Sequence, residues 1–379
     1  MVNLFACGDI VNYNNADGFL LTEELATIVK NADYSICNFE APIHGYGSPQ
    51  TKSGIHHSQR EETISGLKAQ GFNLALLANN HIMDFGREGL EATIDEANKS
   101  NIETLGAGTT HELAYAPLIK VINGLKIGIL NGGEAQFGVI DHFERDEQFG
   151  YAWINHPRID RTILKLKEEC DFILVFSHAG LEDYNIPQKE WRERYKHLCD
   201  LGADAVIGSH PHVPQGHEKH NDSLIFYSLG NFYFDGGRWA GIENNSFSIV
   251  LTMSKDIPIT FKPVFHHTSN GKVHISKDEK KINLEALCGL LRDEYYIHHD
   301  QMAINSYQNV KNNLLKSLSP LPITPTLKGT VKELIRAVIG RRKGLNKAIL
   351  GMHFMRNESY YFVAKHAMEL EVQKKKKNE

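Results

Sequence analysis

Asp171-Phe172-Ile173-Leu174-Val175-Phe176-Ser177-His178 decides the fold: an uninterrupted apolar run that ends in two polar side chains. A short apolar run bounded by polar residues reads as a buried strand. Amphipathic stretches at 158–169 and 188–201 flank it, and another apolar run follows at 204–207. The same alternation recurs outward along the chain. Apolar runs lie at 2–7, 34–39, 73–78 and 224–229, and amphipathic stretches at 22–31, 61–70 and 87–99. Strands alternating with helices predict an α/β fold with a largely parallel or mixed sheet. Leu118-Ile119-Lys120-Val121-Ile122 and Lys126-Ile127-Gly128-Ile129-Leu130 flank Asn123-Gly124, a hairpin signal. Runs at 246–253 and 259–266 continue the sheet without an intervening helix, so two packed sheets are expected, one of them more antiparallel. After about residue 282 the pattern becomes helical, broken by the proline-rich stretch Ser319 to Pro325. No internal repeat is evident.

The chain has 379 residues, of which 41% are hydrophobic and 23% charged, a composition that excludes disorder as the main state. No run approaches the roughly 18 apolar residues of a membrane span. The start, Met1 to Asp9, lacks the basic and apolar regions of a signal peptide, so a cytoplasmic protein without a transmembrane segment is expected. Five cysteines with no C-x-x-C pair suggest neither a disulfide framework nor a thiolate metal site. Charge divides the chain. Residues 276–379 carry 19 Lys and Arg against 11 Asp and Glu, while the rest of the chain is strongly acidic. Two regions are therefore expected: an α/β domain over 1–275, read below as the catalytic one, and a basic helical extension over 276–379.

In open α/β sheets ligands sit beyond the carboxyl ends of strands. Asn38 and Glu40 follow 34–37, and Asp9, Asn79, Asn80, His81, His178, His210, His212 and Asn231 likewise follow apolar runs. Twenty histidines are an unusual number, and imidazole is the commonest metal ligand. Carboxylate, amide and imidazole groups without thiolate suit Mn, Fe or Zn, and so large a set suggests two ions sharing a bridging carboxylate. Each residue alone has a plainer reading. Asp9 also reads as a helix cap or turn former, Glu40 as a solvated loop carboxylate, Asn80 as a turn residue, and His178 as a hydrogen-bonded histidine at a sheet edge. His210-Pro211-His212 is the most specific local signal, since an extended segment would turn both imidazoles to one side. The pairs His56-His57, His266-His267 and His298-His299 read as surface residues, with His44 and His56 able to enter the site on a loop.

Six segments in this order resemble the CapA family of poly-γ-glutamate capsule synthesis proteins, itself similar to the calcineurin-like metallophosphoesterases. They are Gly8-Asp9, Asn38-Phe39-Glu40-Ala41-Pro42-Ile43, Ala78-Asn79-Asn80-His81-Ile82-Met83-Asp84-Phe85-Gly86, Ser177-His178-Ala179-Gly180, Gly208-Ser209-His210-Pro211-His212-Val213-Pro214-Gln215 and Tyr227-Ser228-Leu229-Gly230-Asn231-Phe232. The resemblance covers roughly residues 4–235. It implies a four-layer α/β/β/α sandwich of the metallophosphoesterase type, with two divalent ions held at the strand ends. Asp9 and His212 would hold one ion, Asn80, His178 and His210 the other, and Glu40 would bridge them. His81 would act as a catalytic acid or oxyanion stabiliser, with Asp84 either orienting its ring or capping the helix near Gly86. Asn38, Asn79, His44 and Asn231 are candidate substrate-binding residues.

Two departures from the resembled pattern stand out. Val11 occupies the place of a histidine two residues after the first Asp, and Glu40 replaces the usual bridging Asp. The first metal position therefore looks short of a ligand, to be bound weakly, completed by a group such as His44, or filled only with substrate present. The leading expectation is a hydrolase in which two ions activate water to hydroxide against a phosphoester, or against an amide or γ-glutamyl bond in capsule or poly-γ-glutamate synthesis. The alternatives are an accessory protein that binds an anionic polymer or its synthase, and a metal-dependent peptide epimerase. Expected partners are an anionic polymer or phosphoester substrate and, through the basic C-terminal helices, capsule-synthesis proteins; nucleic acid is not expected.

Overall fold

A computed structural model describes residues 1–141, 148–255, 257–318, 326–339 and 347–378. The chain divides into two compact units: one of Met1–Gln50 and His56–Asp293, the other of Thr51–Ile55 and Glu294–Glu379.

The first unit is built on two sheets. One contains β1 (Val2–Val11), β2 (Tyr34–Phe39), β3 (Leu74–Leu76), β4 (Glu103–Leu105), β14 (Asn231–Phe234), β15 (Asn244–Ser254), β16 (Ile257–Ser269) and β17 (Lys272–Ile275). Its order is β17-β16-β15-β1-β2-β3-β4, with β14 also pairing β1. The side from β1 to β4 is parallel and the side from β15 to β17 antiparallel. The second sheet has the order β12-β13-β11-β10-β7-β6, from β6 (Leu118–Ile122), β7 (Leu125–Gly133), β10 (Phe172–His178), β11 (Ala205–Ser209), β12 (His217–His220) and β13 (Ser223–Phe226). Here the centre is parallel and the two edge strands antiparallel. A small third sheet joins β5 (Ala107–Gly108), β8 (Val139–Ile140) and β9 (Gly150–Ala152). Asn123 and Gly124 take φ of 48° and 78°, the left-handed turn expected between β6 and β7.

Alternation along the central strands creates the layers. On β10, Phe172, Leu174 and Phe176 share one core with Leu4 and Ala6 of β1, Ile36 of β2 and Ile127 and Ile129 of β7. That core lies between the two sheets. The opposite face of β1 and β2, including Phe5, Cys37 and Phe39, packs with Leu25 and Val29 of α1 (Glu23–Lys30), Ile64 and Leu67 of α2 (Glu62–Ala69) and Leu90 of α3 (Gly86–Lys99). After the short α4 (His111–Tyr115), α5 (Pro157–Lys167) and α6 (Lys189–Leu201) cover β10 and β11 from outside. Helix α5 begins with Pro157 in its first turn and buries Ile159, Ile163 and Leu166 at helical spacing. These are the four layers that the family resemblance implied. A strand covered on both faces must be apolar at every position, which is why β10 reads as a continuous run. The short α7 (Leu284–Gly289) ends the unit.

In the second unit α8 (Tyr295–Leu318), α10 (Lys347–Arg356) and α11 (Glu358–Asn378) pack on one another. Tyr295, Met302, Ala303, Tyr307, Leu350, Phe354 and Val363 are buried there. Helix α9 (Leu327–Val338) leaves Val331, Leu334, Ile335 and Val338 exposed. The break at Ser319 to Pro325 and the basic triplet Arg341-Arg342-Lys343 lie outside the described residues. Among the described residues no helix is long and apolar enough to cross a membrane.

One member of each histidine pair departs from the surface position expected of it, while His56, His267 and His298 are partly exposed. His266 is buried, with Ser248 Oγ of the neighbouring strand at 3.0 Å and the Phe232 ring packed on it at 4.9 Å between centroids. His299 is buried on the inner face of α8. His57 is half-buried and reaches the site described next.

Candidate metal centre

Parallel pairing brings three polar residues into one row at the ends of strands. Asp9 on β1 is level with Asn38 on β2 and Asn231 on β14, and the β1–β2 register shifts between Cys7 and Asp9. Such an irregularity beside a site re-aims a side chain. Gly8 admits the close approach needed here: a Cβ on it would lie 1.9 Å from Gly230 O. In the second sheet His178, the last residue of β10, is level with Ser209 of β11 and Gly133 of β7.

Glu40 follows β2 and is 0% exposed, yet among the described residues neither of its carboxylate oxygens has a hydrogen-bond partner. Its Oε1 lies 3.6 Å from His178 Nε2 and 3.8 Å from His212 Nε2. Asp9, also fully buried, places Oδ1 3.7 Å from His178 Nδ1 and Oδ2 3.5 Å from His212 Nδ1. Asp9, Glu40 and His212 thus form one group able to hold a cation, and Glu40, His178 and His210 another, with Glu40 common to both. Asn80 Oδ1 approaches His178 Nε2 to 3.0 Å. A buried carboxylate without hydrogen bonds is strongly unfavourable unless a cation or proton satisfies it, so these residues fit a divalent metal.

The electrostatics point the same way. Burial pushes the Glu40 carboxyl well above the ordinary carboxylate range, and the charge of Asp9 adds to the effect. Asp9 is also raised by burial, against the opposing pull of His212 and His210. Burial drives His178 well below its ordinary value, with His210, His212 and His81 adding repulsion. For His210, burial acts downward, but Glu134, Glu182 and Asp9 outweigh it and leave the ring raised. Without a cation the site resists holding two carboxylate charges, and a bound cation would displace those protons.

His81 stands beside this group. Its Nδ1 is bonded to Asp84 Oδ2 at 2.7 Å, and that oxygen also accepts the backbone N–H of His57 at 2.7 Å. The helix cap position is Phe85, so Asp84 orients the ring and fixes the loop at His57. The His57 ring packs edge-on against His81, with 4.3 Å between centroids, and Tyr13 Oη bonds His57 Nδ1.

The family model described as bacterial capsule synthesis protein PGA_cap matches residues 3–236. The chain belongs to this family. It is 32% identical over 245 residues to the capsule biosynthesis protein CapA of Bacillus anthracis, covering 63% of this chain and 58% of that one. Over 212 residues it is 32% identical to the PGA biosynthesis protein CapA of Bacillus subtilis (strain 168), covering 55% of each. A probable polyglutamine synthesis accessory protein of Mycobacterium tuberculosis is 23% identical over 224 residues, covering 56% of this chain and 59% of that one. The matched part therefore spans less than two thirds of the length of these relatives. Among solved structures, a hypothetical protein from Thermus thermophilus is similar at TM-score 0.48 and 16% identity, over 70% of this chain and 100% of that one. A 5'-nucleotidase from Candida albicans is similar at 0.41 and 12%, over 82% and 59%.

In this PGA_cap chain, Asp9, Glu40, Asn80, His178, His210 and His212 converge, although they come from positions up to two hundred residues apart. The route of the His210-Pro211-His212 segment differs from the extended one expected: His210 and His212 have φ of 97° and 61°. Left-handed backbone at two non-glycine residues costs on the order of 1–3 kcal/mol each, a strain typical of functional sites. Asn38 and Asn231 bond the carboxylate and imidazole groups: Asn38 Nδ2 to Asp9 Oδ1 at 2.8 Å, and Asn231 Oδ1 to His212 Nδ1 at 2.9 Å. Asn79 braces its loop, donating to Phe39 O and accepting from the N–H groups of His81 and Ile82. His44 is exposed and contacts Ser58 Oγ at 3.2 Å, and His56 contacts Gln50 O. Val11 is buried within β1.

Four residues of the site were not picked out from the sequence. Buried Glu134 approaches His210 Nε2 to 3.6 Å, accepts from Gly180 N–H and is bonded by Gln136, whose Oε1 accepts from Asn80 Nδ2 at 3.4 Å. Glu134 directly follows β7, but in the sequence the apolar run ends at Leu130, so the rule that found Asp9 and His178 points there to Asn131 and not to Glu134. Glu182 groups with His210 and His212 and is bonded by Arg238 at 2.9 Å. No apolar run immediately precedes Glu182 or His57, so the pattern carried no signal for them.

Proposed function

We propose that this chain is a metal-dependent hydrolase acting in the synthesis of capsule polymer or poly-γ-glutamate, on a phosphoester or on an amide or γ-glutamyl bond. The observation that carries the reading is Glu40, a fully buried carboxylate without hydrogen bonds, set between His178, His212 and Asp9. In this reading Asp9, Glu40 and His212 hold one divalent ion, and Glu40, Asn80, His178 and His210 a second. The ion identities that suit these donors are Mn, Fe or Zn. Glu182, which groups with His210 and His212, would be the further donor beside the place of Val11, whereas exposed His44 joins no such group among the described residues. Divalent ions bound here would supply Lewis acidity and an activated water. The protein's own part is to orient and to move protons. Asp84 holds the His81 ring through Nδ1, so Nε2 is the atom that would protonate a leaving group. Asn38 and Asn231 fix the orientation of Asp9 and His212, and Glu134 stabilises the imidazole of His210.

Elemental analysis of protein purified with added Mn, Fe or Zn, followed by screening of phosphoesters, γ-glutamyl peptides and solvent-deuterium exchange, tests this. Stoichiometric metal with hydrolysis supports the reading; exchange without hydrolysis would replace it with epimerisation. Protein that binds no stoichiometric metal in any of these conditions sinks it. A second reading, an accessory protein that binds an anionic polymer, draws support from Val11, which removes one expected donor, and from the name of the Mycobacterium tuberculosis relative.

A further inference from the structure

The helical unit holds a second group of ligand-type side chains, well separated in sequence from those above. His299 and Asp300 are successive residues of α8, and His366 lies on α11. Each offers one ligand atom, and these atoms all lie within 4.8 Å of one another. His366 Nε2 is 2.6 Å from Asp300 Oδ1, and the rings of His299 and His366 stand edge to face with 4.8 Å between centroids. Successive helical residues point about 100° apart. His366 of α11 meets both of them, Asp300 through its Nε2 and His299 ring to ring. Ala303 on α8 and Ala367 on α11 are 0% and 2% exposed, small residues that suit close packing of the two helices.

The environment is graded. His299 is buried, the His366 side chain is 15% exposed and that of Asp300 41%, so the group is anchored inside and opens to solvent at one side. On the far edge of the His366 ring, Nδ1 is 3.9 Å from Glu369 Oε2, one turn further along α11. A carboxylate behind a ligating histidine is the usual second partner of a metal-bound imidazole. The Asp300–His366 hydrogen bond accounts for that pair alone. Glu369 is also paired with Lys365 at 3.0 Å, and the His299 ring also meets Tyr295, so what points to a site is the convergence of the three ligand-type atoms. Two imidazoles and one carboxylate are a donor set for zinc, with a fourth position left for water.

We propose that His299, Asp300 and His366 form a zinc site that clamps α8 to α11, with Glu369 orienting His366. Ligand atoms around tetrahedral zinc sit about 3.4 Å apart, given bonds of roughly 2.0–2.1 Å. Zinc binding therefore needs the three atoms to draw together and the Asp300–His366 contact to open slightly. The inference does not depend on the hydrolase reading.

The test uses the full chain, stripped by chelator and titrated with Zn²⁺, with zinc counted by elemental analysis after gel filtration. Parents are the wild type and Glu40→Gln, which separates this zinc from metal at the sheet ends. In each parent His366→Ala should remove one zinc, and Asp300→Asn should raise the Kd of that zinc at least about tenfold. Zinc should also slow amide exchange in α8 and α11 of the parents and not of the His366→Ala variants. The same zinc count and affinity in parents and both variants would overturn the proposal, as would exchange in α8 and α11 that zinc does not alter in any of them. Should His366→Ala fail to fold, the nearly isosteric Asp300→Asn decides by the same titration.

Discussion

The ends of the strands and helix α9 are opposite extremes of one chain. At the strand ends, charged groups are withdrawn from water: Asp9 and Glu40 are fully buried, and Glu40 is left without hydrogen bonds among the described residues. On α9, Leu327, Val331, Ile335 and Val338 remain in contact with water. The first arrangement is expensive in the absence of a counter-charge, and two packed sheets must hold it in place. The second costs little locally and constrains nothing. Strain and buried charge therefore mark the candidate site of this protein, whereas exposed apolar surface by itself marks none.

The largest expected effect is Glu40→Gln. It should reduce metal at both positions of the sheet-end site and lower hydrolysis by at least about 10²-fold, because a neutral amide cannot bridge two cations. Metal content and rate, measured together, check this, and full occupancy in the variant would break the contrast between the two regions. His81→Ala should lower turnover by roughly 10²–10⁴-fold while metal content stays near wild type. A parallel loss of metal would make His81 a ligand. His212→Ala should chiefly empty the position shared with Asp9, whereas His178→Ala and Asn80→Ala should empty the other, seen as about one ion lost in each case by elemental analysis.

A smaller effect concerns pH in metal-free protein. Glu40 is raised by burial, so its contribution to stability is complete below the unfolded value of about 4.3 and is lost as pH rises through the raised folded value. His178 is depressed by burial and acts in the opposite sense: its contribution is present above about 6.5 and lost as pH falls. Glu40→Gln removes the Glu40 contribution, while His178, 3.6 Å away, keeps in both proteins a downward shift led by burial. The Tm advantage of the variant should grow as pH rises above about 4.3, with each kcal/mol worth about 2–4 °C. Saturating metal should reverse the order. A Tm difference that does not change with pH would show that Glu40 is satisfied without a cation. The smallest effect is expected on α9, where Ile335→Lys and Val338→Lys should each change stability by no more than about 0.5 kcal/mol in thermal or denaturant unfolding.

Much of the sheet-end site was legible because a parallel strand ends abruptly and its next polar residue is displayed at the edge of the sheet. That rule reached Asp9, Glu40, His178, His210 and His212 from the linear sequence. It did not reach Glu182, which no apolar run announces, or His57, which a loop delivers. It also could not tell buried His266 from half-exposed His267, since neighbours in a strand differ only in which face they present, and the sequence names no face.

By itself, the sequence determined the alternation of strands and helices, the hairpin at Asn123-Gly124, the helical nature of the described residues after about 282 and the donor types available at the strand ends. These follow from local periodicity and from the chemistry of single side chains. Only the tertiary structure decided that Glu40 stands within reach of both His178 and His212, that Asn38 and Asn231 brace Asp9 and His212, and that His210 and His212 are delivered by a left-handed path around Pro211. The same holds for His299 and His366, which α8 and α11 bring together from 67 positions apart. Burial and proximity are properties of packing between segments distant in sequence, and it is burial that raises a carboxylate's pKa, lowers an imidazole's and makes a cation the natural partner of both.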